Sequence, residues 1–189
     1  MDTVDVVIMA TACEGFTRRL ADVRASQWGR STPCTDWDVR TLVNHVVGEL
    51  LWVPPLLAGQ TIAEVGDRLD GDVLGDDPLA TCRDGSTAAV VAAGEPGAQE
   101  RTTHLSFGDL PGSKYLAQVT TDVIIHTWDL ARAIGADDRL EDELVGFARD
   151  VLTPQIEMWR GAGVLGMALE PGPDASEQDR FLALTGRST

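Results

Sequence analysis

The chain has 189 residues, a length that fits one domain with a sizeable core. Its 30 acidic and 15 basic side chains give a formal net charge of -15, which disfavours phosphate backbones and anionic lipid surfaces as partners. No stretch reaches the roughly 18–20 apolar residues that span a bilayer, and the acidic start lacks the positive charge of a secretory signal. We therefore expect one cytoplasmic domain over residues 1–189, with no nucleic-acid or membrane partner.

Three cysteines, odd in number and widely spaced, argue against a disulfide framework and against a CxxC-type site. Cys34 stands just before a predicted helix, where thiols are often reactive, but a small buried hydrophobic role is the favoured interpretation. The sequence contains no GxGxxG, P-loop, nucleophile elbow or HExxH motif. Nucleotide enzymes and the standard hydrolases therefore have no support.

Apolar residues at helical spacing predict the secondary structure in chain order. Thr35 and Asp38 resemble a capping box for the second helix, and Pro54 and Pro55 should kink or end it. Residues 101–107 favour an extended segment. The predicted helices cover residues 4–27, 36–57, 61–69, 79–93, 116–135, 140–158 and 176–184. Few strand signals and two long connections predict an all-α bundle with a long crossover connection and extra short helices.

Two predicted helices carry acid and imidazole groups beside their apolar faces. Asp122 and His126 are four residues apart, so their side chains lie one above the other, about 5–6 Å apart at Cβ. His45 and Glu49 repeat this spacing on the second helix. His45, Asp122 and His126 together predict an open metal site that suits zinc, nickel or non-haem iron. Glu49 or Asp129 would bind the second nitrogen of a ligating imidazole.

The same pattern has a simpler interpretation, in which His45 and His126 are half-buried histidines that are each hydrogen-bonded to a neighbouring acid. Against it, two of the chain's three histidines lie on the same flank of an apolar face, each four residues from an acid. His104, the third, falls in a predicted connection and is expected to be solvated. Spacing alone leaves both interpretations open.

Three motifs resemble a known family: TPCTDWDVRTLVNHVVGE, DVIIHTWDLARAIG and PDASEQDRFLALTGR. They are similar to the DinB-like metal-binding proteins, in the branch of the mycothiol-dependent maleylpyruvate isomerase N-terminal domain. The resemblance implies a DinB-like four-helix bundle with a divalent metal, usually zinc or nickel, bound by His45, Asp122 and His126. It also implies that a low-molecular-weight thiol, mycothiol or bacillithiol, binds the metal and attacks a small electrophile. DinB-like relatives often pair, so the resemblance favours a homodimer.

The chain is expected to differ from the characterised members of this family in two respects. The characterised isomerases carry glutamate at the position of Asp122, and they have a further C-terminal domain that this chain is expected to lack. The predicted function is a metal- and thiol-dependent transferase or isomerase, whose electrophile no residue identifies. The alternative is a non-catalytic metal- or thiol-binding protein in stress response or detoxification. A third hypothesis, a metal-free scaffold, requires His45 to lie too far from His126 to share an ion.

Overall fold

A computed structural model describes residues 3–189, most of which are helical. The α-helices are, in chain order, α1 (Val6–Ala21), α2 (Val39–Leu57), α3 (Ile62–Val65), α4 (Pro78–Gly94), α5 (Gly112–Ile134), α6 (Asp142–Leu152), α7 (Ile156–Gly161) and α8 (Glu177–Leu184). Two short strands, β1 (Thr102–Leu105) and β2 (Gly108–Pro111), form an antiparallel hairpin between α4 and α5. The all-α prediction is confirmed, and the segment expected to be extended is the first strand of this hairpin.

Four long helices form a bundle. Helices α1 and α2 each pack against both α4 and α5, so α1 and α2 lie at opposite corners. Apolar side chains fill the space between the helices, and Phe16, Leu42 and Leu116 are fully buried there. Helix α5 also contacts α6 and the hairpin, which leaves most of its surface covered. Polar side chains on α5 are consequently enclosed and need partners within the protein.

The long crossover connection joins α2 to α4 and includes the short helix α3. Asn44 on α2 fastens it at two points. Its side-chain amide donates to the carbonyl of Gly71 at 2.9 Å, and its side-chain oxygen accepts from the N–H of Val73 at 2.8 Å. Leu74, which belongs to the same connection, is fully buried. The connection is therefore packed against the bundle.

Several predicted helix boundaries are wrong: α3 ends at Val65 and not at 69, α5 begins at Gly112 and not at 116, and two further boundaries differ for a visible reason. The first helix ends at Ala21, and the 3₁₀ turn Ala25–Gln27 follows it. This turn exists because the buried Gln27 side chain accepts from the N–H of Arg24 and donates to the carbonyl of Ile134. Thr35 was the predicted N-cap of the second helix. Helix α2 begins one turn later, because Asp38 is its N-cap and accepts a hydrogen bond from the N–H of Thr41 at 2.8 Å.

Prolines end or interrupt helices at two places in the chain. Pro54 and Pro55 fall in the last turn of α2, which ends two residues later. The 3₁₀ turn Thr153–Gln155 separates α6 from α7 where one longer helix was predicted. Pro154 lies within that turn and lacks the backbone donor that a continuous helix needs. No helix within residues 3–189 is long and apolar enough to cross a membrane.

Candidate metal centre

The structure brings the three predicted ligands together between α2 and α5. Nε2 of His45 lies 2.9 Å from one carboxylate oxygen of Asp122, and Nε2 of His126 lies 3.3 Å from the other. One ligand atom from each residue lies within 4.8 Å of the other two. His45 is thus close enough to His126 to share an ion, contrary to the condition for a metal-free scaffold.

The donor set fits a divalent cation. Zinc bonds of about 2.0–2.2 Å in tetrahedral geometry place neighbouring donor atoms about 3.4 Å apart. The two nitrogen–oxygen distances at Asp122, 2.9 and 3.3 Å, are close to that spacing. Two imidazoles and one carboxylate also suit nickel(II) or iron(II), and three protein donors leave room for another ligand.

Asp129 supports His126 from the side away from Asp122. Its Oδ2 lies 2.9 Å from Nδ1 of His126, and the Asp129 side chain is completely buried. The two residues are three apart on α5, so the helix itself sets their relative position. Asp129 thus lies where a partner for the second imidazole nitrogen was expected. Among the hydrogen bonds found within residues 3–189, none joins Glu49 to a histidine.

Two further residues at this site were not assigned to it by the sequence. Nε and Nη2 of Arg187 donate to the two oxygens of Asp129 at 2.7 and 2.6 Å, a bidentate ion pair. The thiol of Cys34 donates to Oδ2 of Asp129 at 3.2 Å, so its interpretation as a small hydrophobe missed a polar contact. The only sequence signal for Arg187 is its place in the C-terminal motif, which says nothing of its partner.

A second cluster of metal-ligand type contains Cys34, His126 and Asp129. A guanidinium already lies against it, because Arg187 contacts both the Asp129 carboxylate and, at 3.5 Å, the Cys34 sulfur. A metal ion in this cluster would face that positive charge directly. The Cys34 cluster is therefore the weaker candidate, and the stronger candidate metal site lies on the other side of the imidazole, at His45 and Asp122.

Electrostatics at the centre favour an ionised Asp122. Burial alone would raise the pKa of Asp122. The charge of His126 and hydrogen bonds from both histidines outweigh this effect and hold the pKa of Asp122 well below the ordinary range. Burial lowers the pKa of His126, whereas Asp122, Asp129 and Cys34 together raise it well above its usual value. Burial and the charge of Asp122 raise the pKa of Glu49. Without a metal ion, the Asp122 carboxylate is therefore paired with a protonated His126, and a cation that binds there takes the place of the His126 proton.

A cavity of about 730 Å³ opens onto the centre. His45, Glu49 and Asp122 line one part of it, and mostly apolar side chains from α2, the hairpin, α5 and α7 line most of the rest. Trp52 is one of these apolar side chains. The Trp37 ring lies 4.8 Å from the ring of His45 and 5.6 Å from that of His126, measured between centroids.

His104 lies outside the centre. Its Nδ1 is 2.9 Å from Oδ1 of Asp109 across the hairpin, and both side chains are exposed. The expectation of a solvated residue is confirmed, although His104 lies on β1 and not in an irregular loop.

Known proteins resemble the chain in sequence and in structure. The model of the family described as mycothiol maleylpyruvate isomerase N-terminal domain matches residues 9–131, a range that contains His45, Asp122 and His126. Uncharacterized proteins from two strains of Mycobacterium tuberculosis are each 34% identical over 182 residues, covering 94% of this chain and 94% of theirs.

Solved structures show the same fold. The mycothiol-dependent maleylpyruvate isomerase matches with a TM-score of 0.64, and a histidine-to-alanine mutant of it matches with 0.65. Each is 18% identical in sequence, and the match covers 84% of this chain and 70% of the other. The predicted DinB-like bundle is confirmed by this likeness. The chain belongs to the family of the mycothiol maleylpyruvate isomerase N-terminal domain.

Proposed function

We propose that the protein binds a divalent metal ion, with zinc favoured over nickel or iron, through His45, Asp122 and His126. The bound ion would present a low-molecular-weight thiol to a small electrophile, in a transferase or isomerase reaction. One observation carries this proposal: His45 and Asp122 line a cavity large enough for small molecules. Storage or structural sites are usually closed by protein ligands, whereas catalytic sites keep a position accessible.

The chemistry supplied by the ion is activation of the thiol, since a coordinated thiol loses its proton and stays nucleophilic at neutral pH. The protein's own residues orient the donors. Because Nδ1 of His126 donates to Asp129, Nε2 is the nitrogen that would coordinate a metal ion after losing its proton to solvent. Arg187 fixes the Asp129 carboxylate at both oxygens. Trp37 covers both imidazole rings with an apolar face.

Family membership supports the choice of thiol. The solved isomerase of the same fold is named as mycothiol-dependent. We propose mycothiol as the thiol cosubstrate of this chain. The thiol would approach through the cavity, because two of the three proposed metal ligands, His45 and Asp122, line it.

Glu49 distinguishes this proposal from non-catalytic metal or thiol binding. It lines the same cavity as His45 and Asp122, and its pKa is raised by burial and by the charge of Asp122. If Glu49 became a fourth protein ligand, the site would be closed and would suit storage. The accessibility of the ion to an added thiol therefore decides between the two functions.

A cobalt-substituted protein provides the test. Cobalt(II) occupies sites of this donor type, and a thiolate bound to it gives a sulfur-to-cobalt charge-transfer absorption. We expect this absorption to appear when a low-molecular-weight thiol is titrated into the cobalt-loaded wild type. The matched control is His104→Ala, which removes a histidine outside the site and should leave the absorption unchanged. Cobalt binding without any thiol-dependent absorption would contradict the catalytic proposal and favour storage.

A further inference from the structure

The cavity beside the proposed metal centre has an apolar wall assembled from separate parts of the chain. Its volume, about 730 Å³, lies within the usual range of small-molecule sites, roughly 300–1,000 Å³. The apolar and aromatic side chains that form the wall include Trp52, Leu56, Leu105, Phe107, Val119 and Trp159. Such a wall binds ligands mainly by removing their apolar surface from water.

The charged side chains of the cavity are unsuited to an anionic ligand. Glu49 and Asp122 are acids, His45 and Tyr115 are the other titratable groups, and no lysine or arginine occurs among the lining residues of the described chain. Proteins that recognise carboxylates normally use arginine, whose planar guanidinium binds both oxygens, or lysine. A carboxylate placed along this wall would therefore lose its hydration without gaining a cationic side chain.

Exposed apolar side chains gather around the mouth of the same cavity. Phe107 is 73% exposed, and Met158 and Val164 are each 61% exposed. All three line the cavity, as does Ile62, so four of the eight exposed large apolar side chains of the described residues lie at this opening. The unbranched Met158 can adapt its shape to different ligands. An apolar ligand that enters the cavity would cover these side chains.

We propose that the cavity selects an uncharged, apolar electrophile, aliphatic or aromatic, and discriminates against carboxylates. The word electrophile rests on the proposed function, because the ligand would react with a thiol held at His45, Asp122 and His126. The preference for uncharged ligands rests on the cavity alone. The reaction with a thiol and the preference for uncharged ligands can therefore be disproved independently.

The test uses unreactive probes of similar size that differ in charge: cinnamyl alcohol and cinnamate. Each is titrated calorimetrically into the full-length chain after treatment with a chelator, so that no metal ion is available to bind the carboxylate. We expect the alcohol to bind at least about tenfold more tightly than cinnamate, a difference of about 1.4 kcal/mol. Equal or tighter binding of cinnamate would overturn the proposal, as would failure of the alcohol to bind.

Substitutions at Gln118 locate the binding. Gln118 lines the cavity one helical turn before Asp122 and is half-buried, so a longer side chain is tolerated there. Gln118→Arg should tighten cinnamate binding about tenfold and leave the alcohol nearly unchanged, because a cation then faces the wall. Gln118→Leu is the matched uncharged control and should retain the preference of the wild type. A Gln118→Arg protein that is folded by circular dichroism but shows no gain for cinnamate would place the ligand elsewhere and overturn the proposal.

Metal analysis separates this inference from the proposed function. If the alcohol is preferred but the protein binds no metal, the cavity preference stands and the proposed chemistry fails. If metal and thiol bind as proposed but cinnamate is preferred, the proposed chemistry stands and the substrate inference fails.

Discussion

Asp129 links two residues that are far apart in the sequence to the candidate metal centre. It accepts hydrogen bonds from the early residue Cys34 and from Arg187 near the C-terminus, while its own helix supplies His126. The carboxylate is completely buried, so each of these donors offsets part of its desolvation. Asp122, which is partly exposed, faces the cavity, and its partners within residues 3–189 are the two histidines.

Replacement of Arg187 by methionine should destabilise the fold strongly. The Arg187 side chain is 11% exposed and Asp129 is 0% exposed, so the variant leaves a buried carboxylate without its cationic partner. Loss of one member of such a buried pair typically costs about 3–5 kcal/mol. Urea denaturation measures the change in the free energy of unfolding. Arg149→Met, which breaks an exposed pair with Glu177, is the control and should change little. Equal stability of the two variants would show that the Asp129 pair is unimportant for the fold.

Residues on regular helices could be placed from the sequence, and the others could not. The i, i+4 spacing of Asp122 and His126, together with His45 on a second amphipathic helix, indicated that the three meet, and the structure brings them together. Cys34 and Arg187 lie outside helices, where spacing does not determine which way a side chain points. Their approach to Asp129 depends on the packing of the whole chain.

At the scale of elements, the start of α5 is fixed by a close backbone contact. The N–H groups of Gly112 and Ser113 donate to the carbonyls of Arg101 and Gln99, both at 2.8 Å. A Cβ atom on Gly112 would lie 2.4 Å from the carbonyl oxygen of Ala98. Only glycine allows this approach, which determines where the helix that carries Asp122 and His126 begins.

Gly112→Ala should therefore destabilise the protein. The contacted atom belongs to the backbone, so the segment before α5 must shift, at a cost of about 1–3 kcal/mol that is typical of overpacking. Gly146→Ala, in helix α6, is the matched control because no atom lies within 4 Å of the added Cβ. Its stability should rise by up to about 1 kcal/mol, since alanine favours helix over glycine. Urea denaturation of both variants gives the comparison, and a neutral Gly112→Ala would contradict this role.

The elements themselves were largely predictable because each has a local signal. Asp77 caps α4 and Ser176 caps α8 through their side chains. The early end of the first helix had no such signal. It depends on the contact of Gln27 with the carbonyl of Ile134, which is 107 residues away in sequence.

The net charge of the whole molecule and the lining of the cavity both disfavour anionic ligands. The formal net charge of -15 attracts cations and repels anions at long range. The cavity combines residues of α2, the hairpin, α5 and α7, which are far apart in sequence. No pattern within one segment could predict this cavity, although the bundle around it was predicted.

Metal analysis of the purified, untagged protein decides whether His45, Asp122 and His126 hold a metal ion. Wild type and His104→Ala should each bind close to one divalent ion per chain, since His104 lies outside the centre. His45→Ala/His126→Ala should bind none, because two of the three proposed donors are removed. Circular dichroism checks that each variant is folded. Absence of metal from the wild type after incubation with zinc, nickel or iron, or equal metal content in the double variant, would contradict the account.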